Sequence, residues 1–193
     1  DTSLKHIALT TLEAISQGGI YDHLAGGIAR YSTDADWLVP HFEKMLYDNA
    51  QFISLASRVS LATRNPLLQT RVDETASFLL SGMRTPTGLF TSAHDADSEG
   101  EEGKYYVWSK HEIERILVHH EAAEFCEVYG VTAAGNFEGH NILNRIAHPE
   151  QDEPPRAARL ALARQELLQE RRNRVPPLHD DKSLADWNSL AIA

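Results

Sequence analysis

The stretch Val39-Pro40-His41-Phe42-Glu43-Lys44-Met45-Leu46-Tyr47-Asp48-Asn49-Ala50 decides the fold class of this chain. Within about three turns of a 3.6-residue helix it sets an imidazole, two carboxylates, an ammonium, a phenol and an amide. Between them Phe42, Met45, Leu46, Ile53 and Ala56 recur at the i, i+3, i+4 spacing of an amphipathic helix. The spacing predicts a helix over 43 to about 62, anchored by one face and reactive on the other. His41 and Glu43 would then stand at its start, where free backbone N–H groups favour negative charge.

Six further helical segments flank that one. Leu4, Ile7, Ala8, Leu12 and Ile15 predict a helix over 4–16, stopped by Gly18-Gly19. Asn65-Pro66 is a cap followed by proline at the first helical position, opening a helix with Leu68, Val72, Ala76, Leu79 and Leu80 on one face. Ser109-Lys110-His111-Glu112 reads as a capping box. A helix over 121–129, an Arg-rich helix over 156–174 and a last one from near Lys182 complete the set. The connections at 18–41, 84–108, 130–155 and 174–181 are long, and short extended pieces are expected at 20–21, 29–31, 89–91 and 105–108. Paired helices with elaborate loops at one end predict an all-α domain, an α/α toroid or helical array with small β-hairpins in its loops. The whole of 1–193 reads as one domain fragment.

Composition narrows the partners. Apolar residues at 42% and charged residues at 24% describe a globular chain. No apolar run approaches the ~18 residues that cross a bilayer, so no membrane partner is expected. The net charge of −10 opposes a phosphate backbone and argues against nucleic acid. In the Arg-rich segment the arginines alternate with Leu160, Ala163, Leu167 and Leu168, the pattern of a solvated helix face. The single Cys126, among Ala122, Phe125 and Tyr129, reads as a buried thiol in a reducing compartment, and rules out a Cys-x-x-Cys redox pair here.

Four constellations carry candidate chemistry. In the first, Arg30 and Tyr31 can recognise hydroxyls or a carboxylate, Trp37 can stack on a sugar face, and His41, Glu43, Asp48 and Asn49 follow on the helix; capping by polar residues, with Lys44 and Asp48 paired at i, i+4, competes with that reading. In the second, Asp95, Asp97, Glu99 and Gly100 open like an EF-hand loop, but Tyr106 stands where the bidentate Glu belongs. His94, Asp95 and Asp97 remain site candidates there. The third sets Glu138 and His140 between glycines, against a turn held by Asn side chains. The fourth is His179-Asp180-Asp181-Lys182 with Trp187, where Asp181 also suits a helix cap.

The phrases at 18–24 (Gly-Gly-Ile-Tyr-Asp-His-Leu), 30–34 (Arg-Tyr-Ser-Thr-Asp), 37–51, 95–108, 135–139 (Gly-Asn-Phe-Glu-Gly) and 180–188 resemble, in order, the spermatogenesis-associated, thioredoxin-domain-containing protein family. Ser189 departs from that family's usual glycine after Trp187-Asn188. The resemblance implies a long, cytoplasmic protein whose thioredoxin-like domain lies outside these residues. It also implies a helical part similar to six-hairpin glycosidases and N-acylglucosamine 2-epimerases, of which this chain would form about the first half of the (α/α)6 ring. The expected function is carbohydrate processing or binding, by epimerisation or glycoside hydrolysis, without a cofactor or metal. Candidate catalytic residues are His41, Glu43, Asp48, His94 and Asp181. Candidate sugar-binding residues are Tyr21, Arg30, Tyr31, Trp37, Asn49, Asp95, Asp97, Glu138, Lys182 and Trp187. The competing expectation is a non-catalytic scaffold for the thioredoxin-like domain. Half a ring leaves apolar helix faces unpaired, so self-association is expected too.

Overall fold

The computed structural model describes residues 2–193. Among the described residues seven α-helices run in chain order as α1 (Thr2–Gln17), α2 (Leu46–Thr63), α3 (Pro66–Phe78), α4 (Lys110–Ile116), α5 (His119–Val128), α6 (Pro154–Arg171) and α7 (Ala185–Ile192). A π-helical turn, Leu79–Met83, extends α3. The local start signals do what their chemistry predicts. Asn65 accepts from the Leu67 and Leu68 amides ahead of Pro66, and Ser109 and Glu112 form a reciprocal capping box on α4.

Two helical cores form. One gathers Leu12, Tyr21, Phe52, Ala56 and Leu68 from α1, α2 and α3 with the loop between α1 and α2. The other packs Trp108, Ile113, Phe125, Tyr129, Leu160 and Leu167 from α4, α5 and α6. Cys126 is buried in it. The loops join the two through Phe42, Ala96, Val107 and Ile142. A fourth cluster sets Leu46, Phe78, Leu79 and Met83 against Trp187 of α7.

The decisive stretch folds differently from its periodicity. Residues 40–45 are extended, and α2 begins at Leu46, three residues later than predicted. Strand β2 (Pro40–His41) pairs antiparallel with β1 (Tyr31–Ser32). Strand β3 (Lys44–Met45) pairs with β4 (Ala93–His94), which pairs on its other edge with β7 (His179–Asp180). A hairpin of β5 (Asp97–Ser98) and β6 (Glu101–Glu102) follows β4. The strands expected at 89–91 and 105–108 are reduced to single bridges, Arg84 to Phe90 and Trp108 to Asn141.

An extended chain alternates its side chains. Phe42 and Lys44 therefore turn inward and are buried, while His41 and Glu43 turn outward and are half-buried. His41 and Glu43 thus do not sit on the free amides of a helix start. Nor does Lys44 pair with Asp48: its ammonium lies 2.7 Å from Asp22, with both side chains almost fully enclosed. Arg171 donates through both terminal nitrogens to the same carboxylate, at 3.0 and 2.8 Å. The Arg-rich helix is therefore not simply a solvated face, since Arg171 is 3% exposed. Burial opposes ionisation of Asp22, but the Arg171 and Lys44 charges outweigh it and hold the carboxyl far below the usual range.

The Gly-Gly pairs serve packing. A Cβ on Gly18 or Gly19 would lie within 2.3 and 2.1 Å of the Trp37 and Leu38 carbonyl oxygens, so the loop before β2 crosses directly over the end of α1. Among the described residues no helix is long and apolar enough to cross a membrane.

Candidate functional site

The outward row of the extended segment meets three other elements. Arg30 is placed by its backbone, whose N–H donates to the Glu43 carbonyl at 2.9 Å. Its guanidinium then reaches the Glu43 carboxylate at 3.2 Å. His41 lies 3.6 Å from the same carboxylate and, through its other ring nitrogen, 2.7 Å from Glu102. Tyr31, opposite His41 in the β1–β2 register, stacks on the imidazole at 5.1 Å and is half exposed. Tyr47 stands near Arg30, and its ring meets Trp187 of α7 edge-on at 4.8 Å.

Asp48, in the first turn of α2, completes this row. Its Oδ2 is buried and has no hydrogen-bond partner. Burial raises its carboxyl to about 6, with the Glu43 charge pushing the same way and Arg30 pulling back. Alongside, a cleft of about 410 Å³ is lined by Glu43, Met45, Ala93, Asp95, Leu178, His179 and Asp180. The surface thus combines several carboxylates, one guanidinium and a set of partly exposed rings. Such a surface can hydrogen-bond vicinal hydroxyls, stack on the apolar face of a ring, and supply a proton near neutral pH.

The predicted residues divide. Arg30, Tyr31, His41, Glu43, Asp48, Asp95 and Trp187 belong to this face or its cleft. Lys182 pairs with Asp180 at 2.7 Å on the rim. His94 does not join them. It faces the other side of the β3–β4–β7 sheet, 3.1 Å from the Gly82 carbonyl, and burial, with His179 and Lys44, lowers its pKa to about 4.

Tyr21 is a core residue, 1% exposed, donating to Glu74 at 2.6 Å. Asn49 is fully buried and staples the chain: it accepts from the Ile28 amide at 2.8 Å and donates to the Ile28 and Met45 carbonyls. Trp37 lies in the loop over α1, where Asp34 accepts backbone N–H groups of residues 36, 38 and 39. Asp181 is exposed and caps nothing, since Leu184 holds the position before α7. Glu138 is exposed in a turn that Asn136 holds by donating to and accepting from Ile142, so the Asn-held turn describes the third constellation. The acidic loop does not gather either: Asp97 is in β5, Glu99 pairs with Lys104 at 3.5 Å, and no group of three or more potential metal ligands occurs among the described residues.

Sequence reading set Tyr47 and Asp180 within its constellations but not among the candidate residues, and it missed the Asp22–Lys44–Arg171 network. A signal for the last existed. On α6 the buried positions are Leu160, Ala163, Leu167 and Arg171, so the arginine occupies the next slot of the apolar stripe.

Over 98% of its length the chain is 33% identical to human spermatogenesis-associated protein 20. It is 31% identical to the mouse protein of that name over the same share. An uncharacterized Caenorhabditis elegans protein is 27% identical over 94% of the chain. The chain spans 28% of the length of the human and mouse relatives. No family model matches it.

Proposed function

We propose that the outer face around Glu43 and Asp48 binds and processes carbohydrate, with glycoside hydrolysis the chemistry it suits best. The observation that carries this reading is Asp48: a carboxyl with a buried, unpartnered oxygen and a pKa near 6, beside a second carboxylate held by Arg30 and His41. Two carboxyl groups in unlike environments are what acid–base cleavage of a glycosidic bond requires. Asp48 would protonate the leaving oxygen, and Glu43 would activate water or attack the anomeric carbon. Tyr31 and Trp187 would flank the sugar ring. Epimerisation is less well supported, because it needs a free base beside the reacting carbon. His94 lies across the sheet, and both ring nitrogens of His41 already face carboxylates.

The same proposal treats the chain as the helical part of a longer cytoplasmic protein that carries a thioredoxin-like domain, and as about half of an (α/α)6 ring. The likeness to spermatogenesis-associated protein 20 and the packing of successive helices on one another, α2 on α3, α4 on α5 and α5 on α6, support it. The second reading, a non-catalytic scaffold for that domain, draws on the internal use of Tyr21, Lys44 and Asn49.

The test incubates the protein with a panel of mono- and oligosaccharides in deuterated water and follows it by NMR. New reducing ends, lost in Asp48→Asn, are expected. Exchange at C2 without hydrolysis would replace cleavage by epimerisation. No binding or turnover of any sugar would leave the scaffold.

A further inference from the structure

Behind the β3–β4–β7 sheet lies a second pocket, of about 360 Å³. It is separated from the outer face by the sheet itself, and its charge is opposite. Its lining holds three cations, Lys44, Arg171 and Arg172, and a single carboxylate, Asp22. In a chain of net charge −10, such a local surplus of two positive charges is not a sampling of the average surface. Lys44 and Arg171 are each 3% exposed and share the one carboxylate. Two enclosed cations on one anion leave a positive charge uncompensated, an arrangement that burial penalises. The Nε of Arg171 is also buried without an acceptor. The unpaired donor and the surplus positive charge thus belong to one Lys44–Asp22–Arg171 cluster.

The rest of the lining sets its shape. His94 is neutral in its buried setting and adds no charge. Phe78, Tyr105 and Tyr106 supply aromatic walls, with Tyr105 and Tyr106 rings 5.2 and 5.4 Å from the Arg171 guanidinium. Arg172 stands exposed at the rim. The volume falls in the range of small-molecule sites, larger than a bare inorganic anion needs.

We propose that this pocket binds a small ligand through an oxyanion group, phosphate or carboxylate, held by Arg171, Lys44 and Arg172, with its body against the aromatic wall. Guanidinium groups suit this because their planar N–H pairs match two oxygens of either anion. The site goes beyond the sugar face and does not depend on it.

The test is calorimetric titration of the whole chain with inorganic phosphate and, in a separate arm, with acetate, each at ionic strength fixed by chloride. Saturable binding of at least one anion at millimolar concentration is expected, shifting the His94 ring resonances in NMR. Arg172→Gln, a surface change that leaves the fold intact, is expected to weaken it by about tenfold. Lys44→Met cuts the surplus from two charges to one while keeping the Asp22–Arg171 pair, and is expected to weaken it as well. Preference for phosphate or for acetate then identifies the group. Absence of saturable binding in both arms, or binding unchanged in Arg172→Gln and in Lys44→Met, overturns the proposal.

Discussion

Asp48 concentrates the chemistry of the outer face in one side chain, and its titration gives that chemistry a stability signature. Its carboxyl is raised to about 6 in the folded chain, chiefly by burial. A folded pKa above the unfolded value means that the folded state holds the proton longer. Stability therefore falls as pH rises from the ordinary carboxylate range through about 6, and stays lower above it. Asp48→Asn removes that penalty. Allowing for solvent screening of a half-buried group, the variant is expected to be more stable than the parent by about 1 kcal/mol at pH 8. At pH 3 the two should match. Urea melts at both pH values decide it, and a variant destabilised at pH 8 would contradict the assignment. The same variant is expected to lose activity, the usual exchange of stability for function at a strained site. The residue types here were legible in the sequence, because a run of chemically distinct side chains is rare on a solvated helix. Their directions were not. His41 and Glu43 face outward because the backbone is extended there, which a helical reading of the same letters could not supply.

At the scale of elements, what could be read was what is local. The Asn65 cap, the proline after it and the Ser109–Glu112 box each act within one turn, so their sequence spacing suffices. The strands β1 to β7 are two residues long apiece. Such strands have no room for an alternating pattern, and outside the local β5–β6 hairpin they are defined by partners farther off in the chain. The buried arginines hid for a different reason. Arg71 falls in the row Leu68, Arg71, Thr75, Phe78 on α3, as Arg171 does on α6, and a charged residue in a helix ordinarily signals the wet face. Both are reclaimed by carboxylates: Glu74 one turn along the same helix and the distant Glu150 for Arg71, and the distant Asp22 for Arg171. Asp22 is the joint that ties the first long loop to β3 and to α6 at once. Asp22→Asn strands two enclosed cations and is expected to cost about 3–5 kcal/mol. Lys44→Met leaves a balanced pair and is expected to cost clearly less, even though the Gly26 carbonyl loses its donor. Equal losses in guanidinium unfolding would show that the network is held by packing and not by charge balance.

Across the whole molecule, helices end with apolar side chains turned to water. Leu4 and Ile7 of α1, Leu61 of α2, and Leu190 and Ile192 of α7 are exposed, Leu61 and Ile192 by 79% and 74%. Scattered apolar residues are ordinary, but Leu190 and Ile192 leave both sides of the last turn of α7 apolar and exposed, on the helix that also packs Trp187 against Tyr47. A helix end of that kind favours contact with another apolar surface, and in a purified chain the surface at hand is a second copy. The charge of −10 opposes such contact at low ionic strength, because like charges repel across the forming interface. Screening shortens that repulsion to about 8 Å at physiological salt and leaves apolar attraction untouched. Self-association is therefore expected to strengthen as salt is raised, the reverse of an interface held by ion pairs. Sedimentation equilibrium at low and high salt reads the sign directly. Leu190→Glu combined with Ile192→Glu is expected to yield a monomer at both, with the helical circular dichroism of α1 to α6 retained. A parent chain that stays a monodisperse monomer at high salt would remove self-association from the account. Association that weakens with salt would move the contact from the apolar ends to the charged outer face.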